Sequence, residues 1–172
     1  MSDVLVIVDM QNDFIDGALG TKEAQQIVSA VREKAASFNG RIFFTMDTHG
    51  DDYLETQEGR KLPVPHCIKG TDGWMICGEL SGIKNDGVIE KPTFGSVELG
   101  KKLLSLNETE EISSVTLVGL CTDICVISNA MLIKAFLPET RVIVDQTCCA
   151  GVSTENHRTA LRAMEACQIE II

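Results

Sequence analysis

Apolar positions along this chain follow two rhythms. Short runs at Val4 to Val8, Arg41 to Met46, Val88 to Glu90, Val115 to Val118, Arg141 to Val144 and Gln168 to Ile172 predict strands. Between them lie longer stretches of helical period, predicting helices over 21–38, 97–106, 122–136 and 154–167. In the first helix Ile27, Val28, Val31, Ala35 and Phe38 share one side, and Asn39-Gly40 ends it. Val4 to Val8 shows no polar alternation, so both faces of that strand should be covered. Strand then helix, repeated, implies a parallel sheet with helices on both faces, a Rossmann-like three-layer α/β/α arrangement. From Asp47 to about Trp74 there is no clear period and much Gly, Pro and charge. A loop that long inside a compact domain is usually functional.

The 172 residues fit one domain, taken as 1–172, with a core large enough to stand alone. Hydrophobic residues at 44% and charged residues at 23% place the chain among ordinary globular proteins. A formal net charge of −10 argues against nucleic acid and anionic membrane as partners. No apolar run approaches the roughly 20 residues of a membrane span. Met1-Ser2-Asp3 lacks the basic start of a signal peptide, so the expected location is cytoplasmic. Seven cysteines, an odd number, argue against a disulfide framework in a reducing compartment. The spacings Cys121/Cys125 and Cys148/Cys149 match no zinc ribbon, and packing is the default role for most of these thiols.

In open parallel sheets, sites gather beyond the carboxyl ends of the strands, where strand order reverses. Here the first strand ends at Asp9, the second at Asp47 followed by His49, and the third at Lys91; the fourth leads into Cys121 and Cys125. One polar residue at a strand end is an ordinary cap or turn. Four strands delivering Asp, Asp-x-His, Lys and Cys to one rim point to a site. Cys125 falls in the first turn of the predicted helix, where free N–H groups and partial positive charge favour a thiolate and can hold an oxyanion. Lys91 is expected to lower that thiol further, and Asp9 to take its proton and pass it to a leaving amine. Cys121 is the rival nucleophile, its backbone N–H better placed than its side chain. Asp47, His49 and His66 form a set compatible with zinc, iron or manganese, with Glu58 and Glu55 as spare carboxylates. His157, on a charged helix, is expected at the surface.

Asp9-Met10-Gln11-Asn12-Asp13-Phe14, Asp47-x-His49, Lys91 and Gly119-Leu120-Cys121-Thr122-Asp123-Ile124-Cys125-Val126 together resemble the isochorismatase-like hydrolases, with the nicotinamidases nearest. The resemblance runs in order along nearly the whole chain. It implies a six-stranded parallel sheet of order 3-2-1-4-5-6 and a triad of Asp9 as base and acid, Lys91 as electrostatic partner and Cys125 as nucleophile. It also implies a cis peptide at Leu120–Cys121, aiming the amides of Cys121 and Cys125 at the oxyanion. A divalent metal, zinc first with iron or manganese as alternatives, would be held by Asp47, His49 and His66, with Glu58 added as in some relatives. In nicotinamidases that metal orients the pyridine nitrogen. Family members commonly assemble, so a homo-oligomer is expected. The isochorismatase branch itself lacks both cysteine and metal, so Cys125 favours an amidase.

The sequence departs from the nicotinamidases in its aromatics. Where they carry a tryptophan before the second metal histidine, this chain reads Pro63-Val64-Pro65, and aromatics total 5%. Phe14 and Phe94 remain to contact a ring, while Trp74, the only tryptophan, lies further along. The leading expectation is a metal-containing cysteine amidohydrolase releasing ammonia from a small carboxamide, nicotinamide first. One alternative keeps the triad and changes the substrate to a carbamoyl or ureido compound. Another is a non-catalytic metal- or redox-responsive binding protein using Cys121/Cys125 or Cys148/Cys149.

Overall fold

The computed structural model describes residues 2–172. Six strands, β1 (Ser2–Val8), β2 (Arg41–Asp47), β3 (Gly87–Lys91), β4 (Ile112–Leu120), β5 (Arg141–Ala150) and β6 (Glu170–Ile171), form one sheet in the order β3-β2-β1-β4-β5-β6. All neighbouring pairs are parallel. The helices are α1 (Asn12–Ile15), α2 (Lys22–Ser37), α3 (Gln57–Lys61), α4 (Val97–Thr109), α5 (Ile127–Phe136) and α6 (Thr154–Ala166). Among the described residues no helix is long and apolar enough to cross a membrane.

The unbroken apolar run of β1 divides by parity, because successive side chains on a strand point to opposite faces. Val4, Val6 and Val8 enter a core closed by Leu99 and Leu103 of α4, Ala130 and Ile133 of α5, and Leu161 and Met164 of α6. Leu5 and Ile7 enter the opposite core, closed by Ile27, Val28, Val31 and Ala35 of α2. The helices start where side-chain oxygens can take free amides: Thr21 accepts from Ala24, Ser96 from Leu99 and Ser153 from Asn156.

Besides the short helices α1 and α3, which the sequence pattern does not predict, and a last strand trimmed to Glu170–Ile171, three elements differ from the sequence reading. β5 continues past Val144 to Ala150, although Asp145-Gln146-Thr147 breaks the apolar run. Asp145 is satisfied locally, by Lys34 Nζ at 2.6 Å and by the Thr147 hydroxyl at 2.7 Å. A register shift lets Leu117 and Gly119 of β4 pair with Val144 and Cys149, absorbing the polar residues. β4 likewise begins earlier, at Ile112, where the Ser114 hydroxyl donates to Asp3. Third, residues 122–136 are not one helix. Thr122–Val126 forms a π-helical turn and α5 starts only at Ile127. The Cys121 carbonyl accepts from the amides of both Ile124 and Val126, at 3.1 and 3.0 Å, which widens the turn.

Candidate active site

Parallel register brings the strand ends to one edge. Val8 pairs with Thr45 of β2 and Gly119 of β4, and Asp47 pairs with Lys91 of β3. Asp9, just past β1, has a φ of 47°, a left-handed conformation that aspartate tolerates better than most residues. Gly119 has a φ of 115°, and a Cβ there would collide with the Val8 carbonyl. β1 and β4 therefore close together at the point where strand order reverses. The Leu120–Cys121 peptide is cis.

Three predicted side chains converge. Lys91 Nζ lies 2.6 Å from Asp9 Oδ2 and 3.4 Å from Cys125 Sγ, and donates to the Thr93 carbonyl at 3.1 Å. Lys91 thus stands in contact with both the Asp9 carboxylate and the Cys125 thiol. The three side chains are at most 5% exposed. Burial pushes the Asp9 carboxyl above its usual range, against the pull of the Lys91 ammonium. Lys91 is held well above the ordinary lysine range, because Asp9, Cys125 and Asp47 outweigh the cost of burying its charge. Burial first, then the Asp9 carboxylate, push the Cys125 thiol well up; Lys91 pulls it down, in the expected direction, without outweighing them. Cys121, which also lines the cavity, is pushed to about 12 by burial and Asp123.

A cavity of about 500 Å³ opens above this floor. Its wall includes Phe14, Phe94, Leu62, Ile124, Cys121 and Cys125, so both predicted phenylalanines face the same space. Leu120, on the strand side of the cis bond, is corrected as a binding residue: its side chain is buried in the core beside α2 and does not line the cavity. Trp74 is not part of this wall: its indole N–H donates to Thr48 and its carbonyl accepts from Gln11.

Asp47, His49, Glu58 and His66 form a second cluster on the cavity wall. One ligand atom from each lies within 4.8 Å of all the others. Asp47 Oδ2 is 2.9 Å from His49 Nε2 and 3.5 Å from His66 Nε2, and Glu58 Oε1 is 3.6 and 3.7 Å from the same nitrogens. Ligands ~2.0–2.1 Å from a tetrahedral ion stand roughly 3.3 Å apart, so the donor set has the span of a divalent cation. His66 Nδ1 donates to the Val64 carbonyl at 2.8 Å, which leaves Nε2 with the free lone pair. Asp47 Oδ1 is buried without a hydrogen-bond partner. Glu58 reaches the cluster from the short helix α3, capped by Thr56. Glu55 is exposed and outside the cluster, correcting its place as a spare ligand.

Several supporting residues carried no assignment from sequence. Gln11 is fully buried and grips the Asp47 backbone, accepting from its amide at 2.7 Å and donating to its carbonyl at 2.8 Å. Thr45 donates to Asp9 Oδ1 at 2.6 Å. Asp13 accepts from the Cys67 amide at 2.7 Å, fixing the residue after His66. The Tyr53 ring meets both imidazoles edgewise, 4.8 Å from His49 and 5.0 Å from His66. A threonine inside an apolar strand, and a glutamine two residues past Asp9, were the available signals. His157 is also corrected: it is half-buried, with Nδ1 2.7 Å from the Thr122 hydroxyl. Cys148 and Cys149 are free thiols that enter opposite cores, so they do not face each other as a redox pair.

Residues 3–172 match the isochorismatase domain. The chain is 30% identical over 183 residues to the nicotinamidase/pyrazinamidase of Mycobacterium tuberculosis, covering 98% of this chain and 97% of that protein. It superposes on the crystal structure of nicotinamidase/pyrazinamidase PncA from Bacillus subtilis with a TM-score of 0.84, at 28% identity over 99% of both chains. Pyrazinamidase of Pyrococcus horikoshii, solved in complex with zinc, superposes with a TM-score of 0.83, at 24% identity over 100% of this chain and 99% of that one. At that identity the likeness is one of fold.

Proposed function

Since the chain belongs to the isochorismatase family, we propose that it is a cysteine amidohydrolase that converts a small carboxamide, nicotinamide first, to its acid and ammonia. The observation that carries this reading is the meeting of a carboxylate, an ammonium and a thiol beneath a cavity walled by two phenylalanines.

The substrate ring lies against Phe14 and Phe94, with its amide over Cys125. Asp9 takes the thiol proton as sulfur attacks the carbonyl carbon and the C–S bond forms. The backbone N–H groups of Cys121 and Cys125 hold the oxyanion. Asp9 then gives its proton to the amide nitrogen, the C–N bond breaks and ammonia leaves. In the second half Asp9 takes a proton from water, the resulting hydroxide attacks the thioester carbonyl, the C–S bond breaks and the acid departs, and the released Cys125 sulfur takes the proton back from Asp9. Lys91 stabilises the sulfur whenever it carries negative charge. Asp47, His49, His66 and Glu58 would hold a divalent cation, zinc, iron or manganese, which would supply a Lewis acid able to orient the substrate ring.

Ammonia release tests the reading directly. Nicotinamide should top a panel that includes carbamoyl and ureido compounds of similar size. A panel led by a ureido compound would keep the triad and replace the substrate. An unchanged rate in Cys125→Ala would end the mechanism.

A further inference from the structure

Asn129 lies on α5, one turn beyond Cys125, and is fully buried. Both donors and the acceptor of its amide are used. Nδ2 donates to the Cys125 carbonyl at 2.8 Å and to the Phe94 carbonyl at 3.2 Å, while Oδ1 accepts from the Ser96 amide at 2.9 Å. These partners belong to two different parts of the site. Cys125 lies in the π-helical turn. Phe94 and Ser96 belong to the segment joining β3 to α4, whose Thr93 carbonyl holds Lys91 and whose Phe94 forms the cavity wall. Ser96 in turn caps α4 through the Leu99 amide. Gly95 passes close to the Ser128 carbonyl and the Leu132 side chain, so that a Cβ there would displace the leucine and crowd the carbonyl. Asparagine is a poor helix-interior residue unless its amide meets the backbone, and volume alone could be filled by an aliphatic side chain. A planar amide with two donors aimed at two carbonyls fixes the spacing of both segments.

We propose that Asn129 is a positioning residue that sets the distance between the turn carrying Cys125 and the segment carrying the Lys91 clamp and Phe94. The proposal rests on the reading of Cys125 as nucleophile. Asn129 does not touch the reacting atoms; it acts on where the sulfur stands relative to the ammonium and the substrate wall. Misplacement of a reacting group by about 1 Å can cost roughly 100-fold in rate.

The test uses Asn129→Asp, close in shape but offering no donor to either carbonyl when ionised, and Asn129→Thr, which keeps one donor. Four quantities are measured: kcat and KM for ammonia release, the melting temperature, and the rate at which iodoacetamide modifies Cys125. The last is read by peptide mass spectrometry, so that the exposed Cys167 does not contribute. Well below its melting temperature, Asn129→Asp should lose roughly 10- to 100-fold in kcat with a much smaller change in KM, and Cys125 should be modified several-fold more slowly. Asn129→Thr should fall between this variant and the parent. A folded variant of either kind with kcat and modification rate within about twofold of the parent overturns the proposal, as does a lowered melting temperature with both rates intact. If Asn129→Asp does not fold, Asn129→Thr is held to the same criteria. If the parent releases ammonia from no amide, the functional reading fails, while the modification rate still decides the role of Asn129.

Discussion

Two lysine–aspartate pairs in this molecule have the same length and opposite meanings. Lys91–Asp9 and Lys34–Asp145 both close at 2.6 Å. The first pair is fully buried, at 1% and 0% side-chain exposure; the second keeps 24% and 11%. Around Asp145 everything is satisfied: Lys34 takes one oxygen, and the amide and hydroxyl of Thr147 take the other. Around Lys91 the ammonium is shared between Asp9, Cys125 and, at 3.6 Å, Asp47, and all of it underlies a cavity. The shifts run in opposite directions. Burial wins at Asp9 and raises its carboxyl, whereas at Asp145 the hydrogen bonds from Lys34 and Thr147 outweigh burial and lower it. A buried ion pair is weak evidence of function by itself. What distinguishes these two is the access of the nearby thiol: Cys125, 3.4 Å from Lys91, lines the cavity, whereas Cys148, 3.8 Å from the Thr147 hydroxyl, is packed in the core.

That contrast can be broken most severely at the thiol. Cys125→Ala should lower ammonia release by about 10⁴-fold or more while leaving the fold intact, checked by circular dichroism beside the assay. Asp9→Asn comes next, with an expected loss of about 10²–10⁴-fold in kcat, the range that acid–base catalysis supplies. Third is the neighbouring cluster. His66→Ala should reduce bound metal measured by elemental analysis, and lower affinity by more than the ~10–100-fold that a supporting group contributes; chelation of the parent should reproduce the effect and metal return should reverse it.

The smallest effect belongs to the other pair. Asp145→Asn should cost about 1–2 kcal/mol in urea unfolding with kcat unchanged. Its pH signature follows from the lowered carboxyl. The contribution of Asp145 is complete above the ordinary aspartate value of about 3.9 and is lost as pH falls through its lower folded value. The parent and Asp145→Asn should therefore converge in stability in acid and diverge towards neutrality. Divergence in acid instead would place the stabilisation elsewhere.

The same pair shows where the sequence was legible and where it was not. β1 and β2 could be read because their apolar runs are buried on both faces, and the residues ending them, Asp9 and Asp47, stand at the sheet edge as expected. The far half of β5 could not be read. Asp145-Gln146-Thr147 looks like a turn until Lys34, 111 residues earlier in the chain, is known to lie beside it. Cys125 was singled out from its place where the fourth strand leads into a helix, but the burial that pushes its thiol up against the pull of Lys91 was not visible in the sequence. Gln11, Thr45 and Asn129 were passed over for a related reason. An amide or hydroxyl looks the same in sequence at the surface and at zero exposure, and only packing tells the two apart.

The two-sided greasiness of β1 has a consequence for how the chain finds its frame. Valines at even positions and leucine or isoleucine at odd ones would trade places after a one-residue slip, exchanging volume between the layers but not hydrophobicity. The apolar pattern alone therefore marks the alignment of this central strand weakly. The polar stop at its end marks it further, where Asp9 meets the hydroxyl of Thr45 and the ammonium of Lys91. The residues assigned to chemistry thus also act as the ruler against which the middle of the sheet is measured.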